Sequence, residues 1–288
     1  MIVDYVREIR PRQWTKNLAL FAGVIFARKF FEAESAIKAV LAFIDFCLVS
    51  SAIYLINDIK DIESDRLHPI KKDRPIAAGR ISVGAAWTAA VIFAIAALTL
   101  GYLLNYQFFI FVTLYFFVMV AYSFFLKHIV IVDIMVIAGG FVCRAVAGAK
   151  VVEVSISSWL LVCTIFIALF LIISKRRHEV ILLGDDAKGH RKILEEYGGK
   201  FLDQLIAIVT AATLMSYMLY TVDPITEEKF HTHNLILTSP LVIFGVFRYL
   251  YLVYQKNKGG RPEQLLLTDL PLLAAIILWA LMVVVIIY

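Results

Sequence analysis

Long apolar runs broken by short polar stretches run the length of the chain. The runs are about twenty residues long and continuous. Neither the period-two alternation of a half-buried strand nor the single apolar stripe of a soluble amphipathic helix describes them. A helix needs about 20 residues to cross the hydrocarbon core of a bilayer. On that length the pattern predicts nine spans, near 14–31, 36–57, 81–104, 106–126, 129–149, 157–175, 202–222, 235–254 and 268–288, with Arg28 and Lys29 trimming the far end of the first. A β-barrel would instead alternate in segments of about ten residues. The expected fold class is therefore an all-α integral membrane protein.

Composition excludes the soluble alternatives. Of 288 residues, 61% are hydrophobic and 18% charged, against about 45–50% and about 25% in soluble domains. A soluble domain of this size has too little interior to hide that surface, and disorder is excluded by the same figures. The formal charge of +5 would raise nucleic acid as a partner for a soluble protein. Here the bilayer is the expected partner, and basic loops orient the spans within it. With the N-terminus inside, 21 of the 28 Lys and Arg fall on the inner side, 5 on the outer, and Arg144 and Arg248 lie within spans. That bias predicts a cytoplasmic N-terminus, an outer C-terminus and no nucleic-acid partner.

Cys47, Cys143 and Cys163 lie far apart in apolar runs and read as small buried hydrophobes. Arg7, Arg10, Arg12 and Lys16 precede a first span that continues into structure, so no cleavable signal peptide is expected. No linker interrupts the chain, which reads as one transmembrane domain over 1–288. Two inner segments, 58–80 and 175–200, are dense in both signs of charge. Each comes after an even-numbered span, which suggests two similar halves.

The first of these segments carries the candidate chemistry. Asp58, Asp61 and Asp65 are spaced three and four apart, within about 60° of one another on an extended helix. Asn57 and Tyr54 border the same face. Three carboxylates on one surface repel each other unless a cation lies between them. A donor set of oxygens without His or Cys points to a hard ion, Mg²⁺ most naturally, which takes one or two carboxylates and completes its shell with water and substrate phosphate. His68-Pro69 ends the helix, and Lys71, Lys72 and Arg74 then supply cations. Metal plus basic loop suits a diphosphate leaving group.

Asn57-Asp58-x-x-Asp61-x-x-x-Asp65, with Arg66, His68-Pro69 and Arg74-Pro75, resembles the first signature of the UbiA superfamily of intramembrane prenyltransferases. The resemblance implies nine transmembrane helices around a central cavity that opens to the cytoplasm. It implies Mg²⁺ as cofactor, with Asn57, Asp58, Asp61 and Asp65 as metal ligands and Asp58 and Asp61 as the catalytic pair.

The second segment departs from that superfamily's usual second acidic motif. It reads Ser174-Lys175-Arg176-Arg177-His178-Glu179, then Gly184-Asp185-Asp186 and His190-Arg191. Lys175 and Glu179 are also spaced as an ordinary i,i+4 pair, and Asp185-Asp186 as a helix cap. Together with Ile9-Arg10-Pro11-Arg12-Gln13-Trp14-Thr15-Lys16-Asn17 and the 57–79 stretch, this block resembles the decaprenyl-phosphate phosphoribosyltransferases. That resemblance implies transfer of 5-phosphoribose from phosphoribosyl diphosphate (PRPP) to a polyprenyl phosphate. The product would be a lipid-linked pentose precursor for cell-envelope glycan, made at the plasma membrane. A donor with a 5-phosphate as well as a diphosphate calls for the extra cations at 175–177.

Substrate-contacting residues are expected at Lys16, Tyr54, Arg66, Lys71, Arg74, Tyr122, Lys127, Arg144, Lys175, Arg176, Glu179, Asp185, Asp186 and Arg191. Snorkelling explains Lys16 equally well, and a topology signal explains Lys127. Asp133 and Arg144 are charges within a span, and such groups are paired or functional. Asp45 is expected to pair with Arg144. Gly139, Gly140 and Gly148 permit close helix packing, and His231 and His233 fall in an outer loop. Two rival readings remain. One is a prenyltransferase moving a prenyl group from polyprenyl diphosphate to an aromatic or glycerol-phosphate acceptor. The other is a transporter of a phosphorylated solute, for which broken helices at the midplane would be expected.

Overall fold

The computed structural model describes residues 2–69, 71–183 and 192–288, and the described elements are helical throughout. They form two compact units, one reaching to Ser155 and one built from Ile156 onward, with the short segment before Glu196 belonging to the first.

The first unit begins with helix α1 (Ile2–Glu8), a 3₁₀ stretch (Pro11–Leu20) and α2 (Phe21–Phe26). Next come α3 (Ala33–Lys60), α4 (Ile62–Leu67), α5 (Val83–Leu104), α6 (Tyr106–Phe124) and α7 (Val132–Val151). The second unit holds α8 (Ser158–Leu183), α10 (Gly199–Thr221), α12 (Ser239–Gln255) and α14 (Leu270–Ile287), with α11 (Pro224–Phe230) and α13 (Pro262–Thr268) as short connectors, while α9 (Lys192–Tyr197) begins in the first unit and ends in the second. Among the described residues eight helices are long and apolar enough to cross a membrane, four in each unit.

The expected span at 14–31 is the exception, and it has a physical reason. Pro11 opens the segment, Asn17 is buried, and the chain folds as a 3₁₀ stretch and a six-residue helix rather than one continuous helix. Its contacts move steadily along α3 and α7. Arg10 reaches Asp58, Asn17 Nδ2 donates to Cys47 Sγ at 3.4 Å, and Asn17 Oδ1 accepts from Arg144 Nε at 2.7 Å. At its far end the segment meets α7 where only glycine fits: a Cβ on Gly148 would collide with the Leu20 carbonyl. A 3₁₀ helix rises about 2.0 Å per residue against about 1.5 Å in an α-helix. Fewer residues therefore cover the same depth.

Around α3 the packing is set by residue size. Ala86, Ala90, Ala94, Ala97 and Gly101 form the buried stripe of α5, at spacings of three and four, and α5 lies along α3. Small residues at that spacing let two backbones approach closely, which is how helices associate where lipid removes the hydrophobic drive. Phe46, Val49, Phe108, Val112 and Tyr115 fill the space between α3, α6 and the N-terminal stretch. Helix starts are capped by polar side chains: Asn105 Oδ1 accepts from the backbone of Gln107 at 2.8 Å, and Asp269 Oδ1 from Leu272 at 3.1 Å.

Two further expectations change here. The 175–200 segment begins as helix, because α8 runs on to Leu183, so Lys175–Glu179 stand on a helix end rather than in a loop. Asp45 does not pair with Arg144. Arg144 donates instead to Asn17, to the Gly140 carbonyl at 2.9 Å and to Tyr115 Oη at 2.6 Å, with its guanidinium 4.7 Å from the Tyr115 ring centre. Neither oxygen of the buried Asp45 has a hydrogen-bond partner among the described residues.

Candidate active site

The site is built where α3 ends. The helix stops at Lys60, and Asp61, with φ −98° and ψ 10°, hands the chain to α4, whose Asp65 N–H donates to the Asp61 carbonyl at 2.8 Å. This break corrects the expectation of one extended helical face. Asp58 and Asp65 share one cation and Asp61 takes another. Arg74 Nη1 bridges the first two, at 2.9 Å from Asp58 Oδ1 and 2.5 Å from Asp65 Oδ2. Asp61 Oδ1 takes Lys127 Nζ at 2.5 Å. Asn57 Nδ2 donates to Asp58 Oδ1 at 3.4 Å.

Arg74 is held in place by the loop that carries it. Leu67 ends α4 and His68 is extended before Pro69, as expected. Arg66, an expected substrate contact, donates through Nε to the Ala77 carbonyl at 3.0 Å and so braces the loop. The Arg74-Pro75-Ile76-Ala77-Ala78-Gly79 turn closes at Gly79, whose φ of +73° suits glycine. Lys71 is half-buried beside it, its backbone N–H donating to His68 Nδ1 at 3.3 Å.

Lys127 is only 3% exposed. It lies in the short 3₁₀ turn Leu126–His128 after α6, behind the buried Tyr122 and Ser123. The fold thus brings Lys127 to Asp61 instead of leaving it exposed. Lys16 is half-buried and donates to Gln13 Oε1 at 3.1 Å.

Two residues of the site escaped the sequence reading. The Arg10 guanidinium pairs with Asp58 and lies 5.1 Å from the centre of the Tyr54 ring. Its backbone is left-handed, φ 54° and ψ 60°, which costs a non-glycine residue of order 1 kcal/mol. Glu8 ends α1, is 1% exposed and abuts the Asp58 carboxyl. Burial, and then the charge of Asp58, push the Glu8 carboxyl up to about 8. Burial likewise raises Asp65 against the pull of Arg74. Arg10 lies inside the N-terminal motif at 9–17, but only the tertiary fold shows which carboxylate it meets. Glu8 carries no spacing signal at all.

In the second unit Arg176 is buried and donates to Glu179 Oε2 at 2.5 Å, while Lys175 stands 3.9 Å from Glu179 Oε1. Both pairs are the one-turn neighbours that their spacing allows. Arg177 pairs with Asp203 at 2.5 Å and lies 4.0 Å from the centre of the Tyr254 ring. Asp185, Asp186 and Arg191 lie outside the described residues.

The donor chemistry fits a hard cation. Asp58, Asp61, Asp65 and Asn57 offer oxygen only, and positive groups already converge on the same carboxylates. Among the described residues no three His, Cys, Asp or Glu side chains come together as a group that could hold a metal ion. An ion here would draw one or two carboxylates from the protein and its remaining ligands from elsewhere.

Residues 18–268 match the family model of the UbiA prenyltransferase family. The decaprenyl-phosphate phosphoribosyltransferase of Mycolicibacterium smegmatis is 32% identical, over 97% of this chain and 91% of its own length. That of Mycobacterium tuberculosis is 31% identical, over 97% and 92%. A UbiA homolog from Archaeoglobus fulgidus, solved bound to GPP and Mg²⁺, shares the fold with a TM-score of 0.73 at 19% identity, over 98% of this chain and 97% of its own.

Proposed function

The chain belongs to the UbiA prenyltransferase family, and on that footing we propose that it transfers 5-phosphoribose from PRPP to a polyprenyl phosphate of the decaprenyl type, releasing diphosphate. The observation that carries the reading is the near-full-length likeness to proteins named for that acceptor and that transferred group, at 31–32% identity. The matched region, residues 18–268, runs through both units, which supports the reading of the chain as one transmembrane domain.

Asp58, Asp61, Asp65 and Asn57 hold Mg²⁺, which when bound neutralises charge developing on the leaving diphosphate. The Mg²⁺ in the Archaeoglobus neighbour supports that choice of ion. An oxygen of the lipid phosphate attacks the anomeric carbon of the ribose. As that bond forms, the bond from the carbon to the diphosphate oxygen breaks, and the electron pair leaves with diphosphate. The attacking oxygen is already anionic at neutral pH, so no residue has to remove a proton.

The protein's own work is positioning and charge. Arg74 and Lys127, which hold the aspartates, turn part of their donor capacity to the incoming phosphates. Lys71, Lys16 and Tyr122 line the approach, and Tyr54 holds Arg10 from below. Lys175 and Arg176, with Asp185, Asp186 and Arg191, contact further substrate phosphate. Glu179 orients the first two. The site faces the cytoplasm, where the basic segments are concentrated.

Purified protein given ribose-labelled PRPP and polyprenyl phosphate should yield an organic-extractable labelled lipid and free diphosphate. Asp58→Asn and Asp61→Asn should abolish it, and Lys175→Glu should raise the KM for PRPP more than that for the lipid. No label from PRPP, with consumption of a polyprenyl diphosphate and an aromatic acceptor, would establish the prenyltransferase reading instead.

A further inference from the structure

Around Asp58 the acidic groups outnumber the basic ones. Three acids (Glu8, Asp58 and Asp65) meet two guanidinia, Arg10 and Arg74, while Asp61 pairs with Lys127. Arg10 and Arg74 both bind Asp58, and Arg74 also binds Asp65. Glu8 is the acid left over. Its side chain is buried, and Oε1 has no hydrogen-bond partner among the described residues. Its carboxyl meets that of Asp58, and two buried acids face to face are costly unless a proton or a cation lies between them.

Local structure gives no reason for an acid at that position. Glu8 ends a seven-residue helix, and the C-terminal end of a helix disfavours negative charge. On the same helix Val3, Val6 and Arg7 are exposed, while the acid is turned inward. The next two residues fix it there. Ser51 Oγ on α3 lies 3.4 Å from the Ile9 carbonyl, and Arg10 then adopts its left-handed backbone. The turn Glu8-Ile9-Arg10 thus delivers an acid and a base to one carboxylate, although both lie before the region matched to the family model.

We propose that Glu8 is a ligand of the divalent cation, the second carboxylate of the site, supplied from the N-terminal helix to stand with Asp58. The inference rests on the assignment of Mg²⁺ to the aspartates and goes beyond it, since the signature at 57–65 contains no residue from α1. Two adjacent carboxylate oxygens, one without a partner and both shielded from water, are the part of the shell that Mg²⁺ draws from protein when phosphates provide the rest.

Direct metal binding tests this without turnover. Full-length protein in detergent, stripped with EDTA, is titrated with Mn²⁺ in the absence of PRPP, and free Mn²⁺ is read by electron paramagnetic resonance. Glu8→Gln, which keeps shape and removes charge, should weaken Mn²⁺ binding by about tenfold or more, the scale seen when groups around a metal are changed. Its melting temperature without metal should stay close to that of the parent. Asp4→Asn, which breaks the pairing of the same helix with Arg80, should leave the Mn²⁺ affinity unchanged. Should Glu8→Gln fail to fold, Glu8→Asp, which withdraws the carboxylate by one methylene, should weaken binding measurably. Parent-like Mn²⁺ affinity in whichever folded Glu8 variant is measured, with binding lost in Asp58→Asn, would overturn the role of Glu8 and leave the aspartate site standing. No Mn²⁺ binding by the parent protein would overturn both, independently of which donor substrate is used.

Discussion

Arg144 and Asp45 are both charged residues inside spans, and the structure gives them opposite energetic standing. Arg144 satisfies Asn17, the Gly140 carbonyl and Tyr115 at once, tying the N-terminal stretch, α6 and α7 together. Hydrogen bonds to a charged group contribute about 1.5–3 kcal/mol each, and their loss leaves the partners buried and unsatisfied. Arg144→Met should therefore lower the melting temperature in detergent markedly. Asp45 has no side-chain partner to lose, and replacing an unpaired buried carboxyl by an apolar group removes a desolvation cost. Asp45→Ala should leave the melting temperature unchanged or raise it. The double variant should show the sum of the two effects, since the residues do not pair; strong coupling between them would contradict this arrangement. Sequence alone shows that two charges of opposite sign lie in spans, and that invites pairing. Which neighbours they meet depends on the rotation of α3 and α7 about their axes, and no spacing rule within either helix fixes that. The aspartates show the same limit. Their period places them near one face, but the break at Asp61 divides them between Arg74 and Lys127, and Glu8 joins only through tertiary contact.

At the scale of elements, apolar run length alone locates the eight long helices to within a few residues at most ends, because the bilayer sets one length for all of them. Two elements depart for local reasons. Helix α8 continues past the membrane-length limit to Leu183, carrying its cations on helical turns. The segment after Pro11 folds as 3₁₀ because buried polar contacts of Asn17 outweigh a uniform apolar face. The contact of α5 with α3 rests on a different property, the alanine stripe. Ala90 is buried in it, whereas Ala96 is exposed on the same helix. Inserting three heavy atoms at a close-packed position costs about 1–3 kcal/mol. Ala90→Leu should thus lower thermal stability, and Ala96→Leu should leave it within error. Equal effects of the two substitutions would mean that α5 packs on another face.

For the whole molecule, the question is how the chain threads the bilayer. Eight long helices would place both ends on the same side, and nine crossings would place them opposite. The first unit decides between these on its own geometry. Glu8 and Arg10 stand beside Asp58, near the C-terminal end of α3. Residue 33 begins that 28-residue helix, about 38 Å from Asp58 at 1.5 Å per residue. The chain between them therefore travels the length of α3, and its successive contacts with Asp58, Cys47, Arg144 and Gly148 mark the path. The N-terminal stretch thus runs beside α3 as a broken element rather than a continuous helix, and the proposal of a ninth crossing rests on it. Cysteines introduced at Asp4, Lys72 and His190 in a variant without Cys47, Cys143 and Cys163 should then react with an impermeant thiol reagent from one face. Those at Glu228 and Tyr288 should react from the other. On the proposed orientation, in which the excess of Lys and Arg marks the inner side, the first group should be the cytoplasmic one. Asp4 labelling from the same side as Tyr288 would mean that the N-terminal stretch does not cross, and would separate α1, with Glu8, from the aspartates it is placed beside.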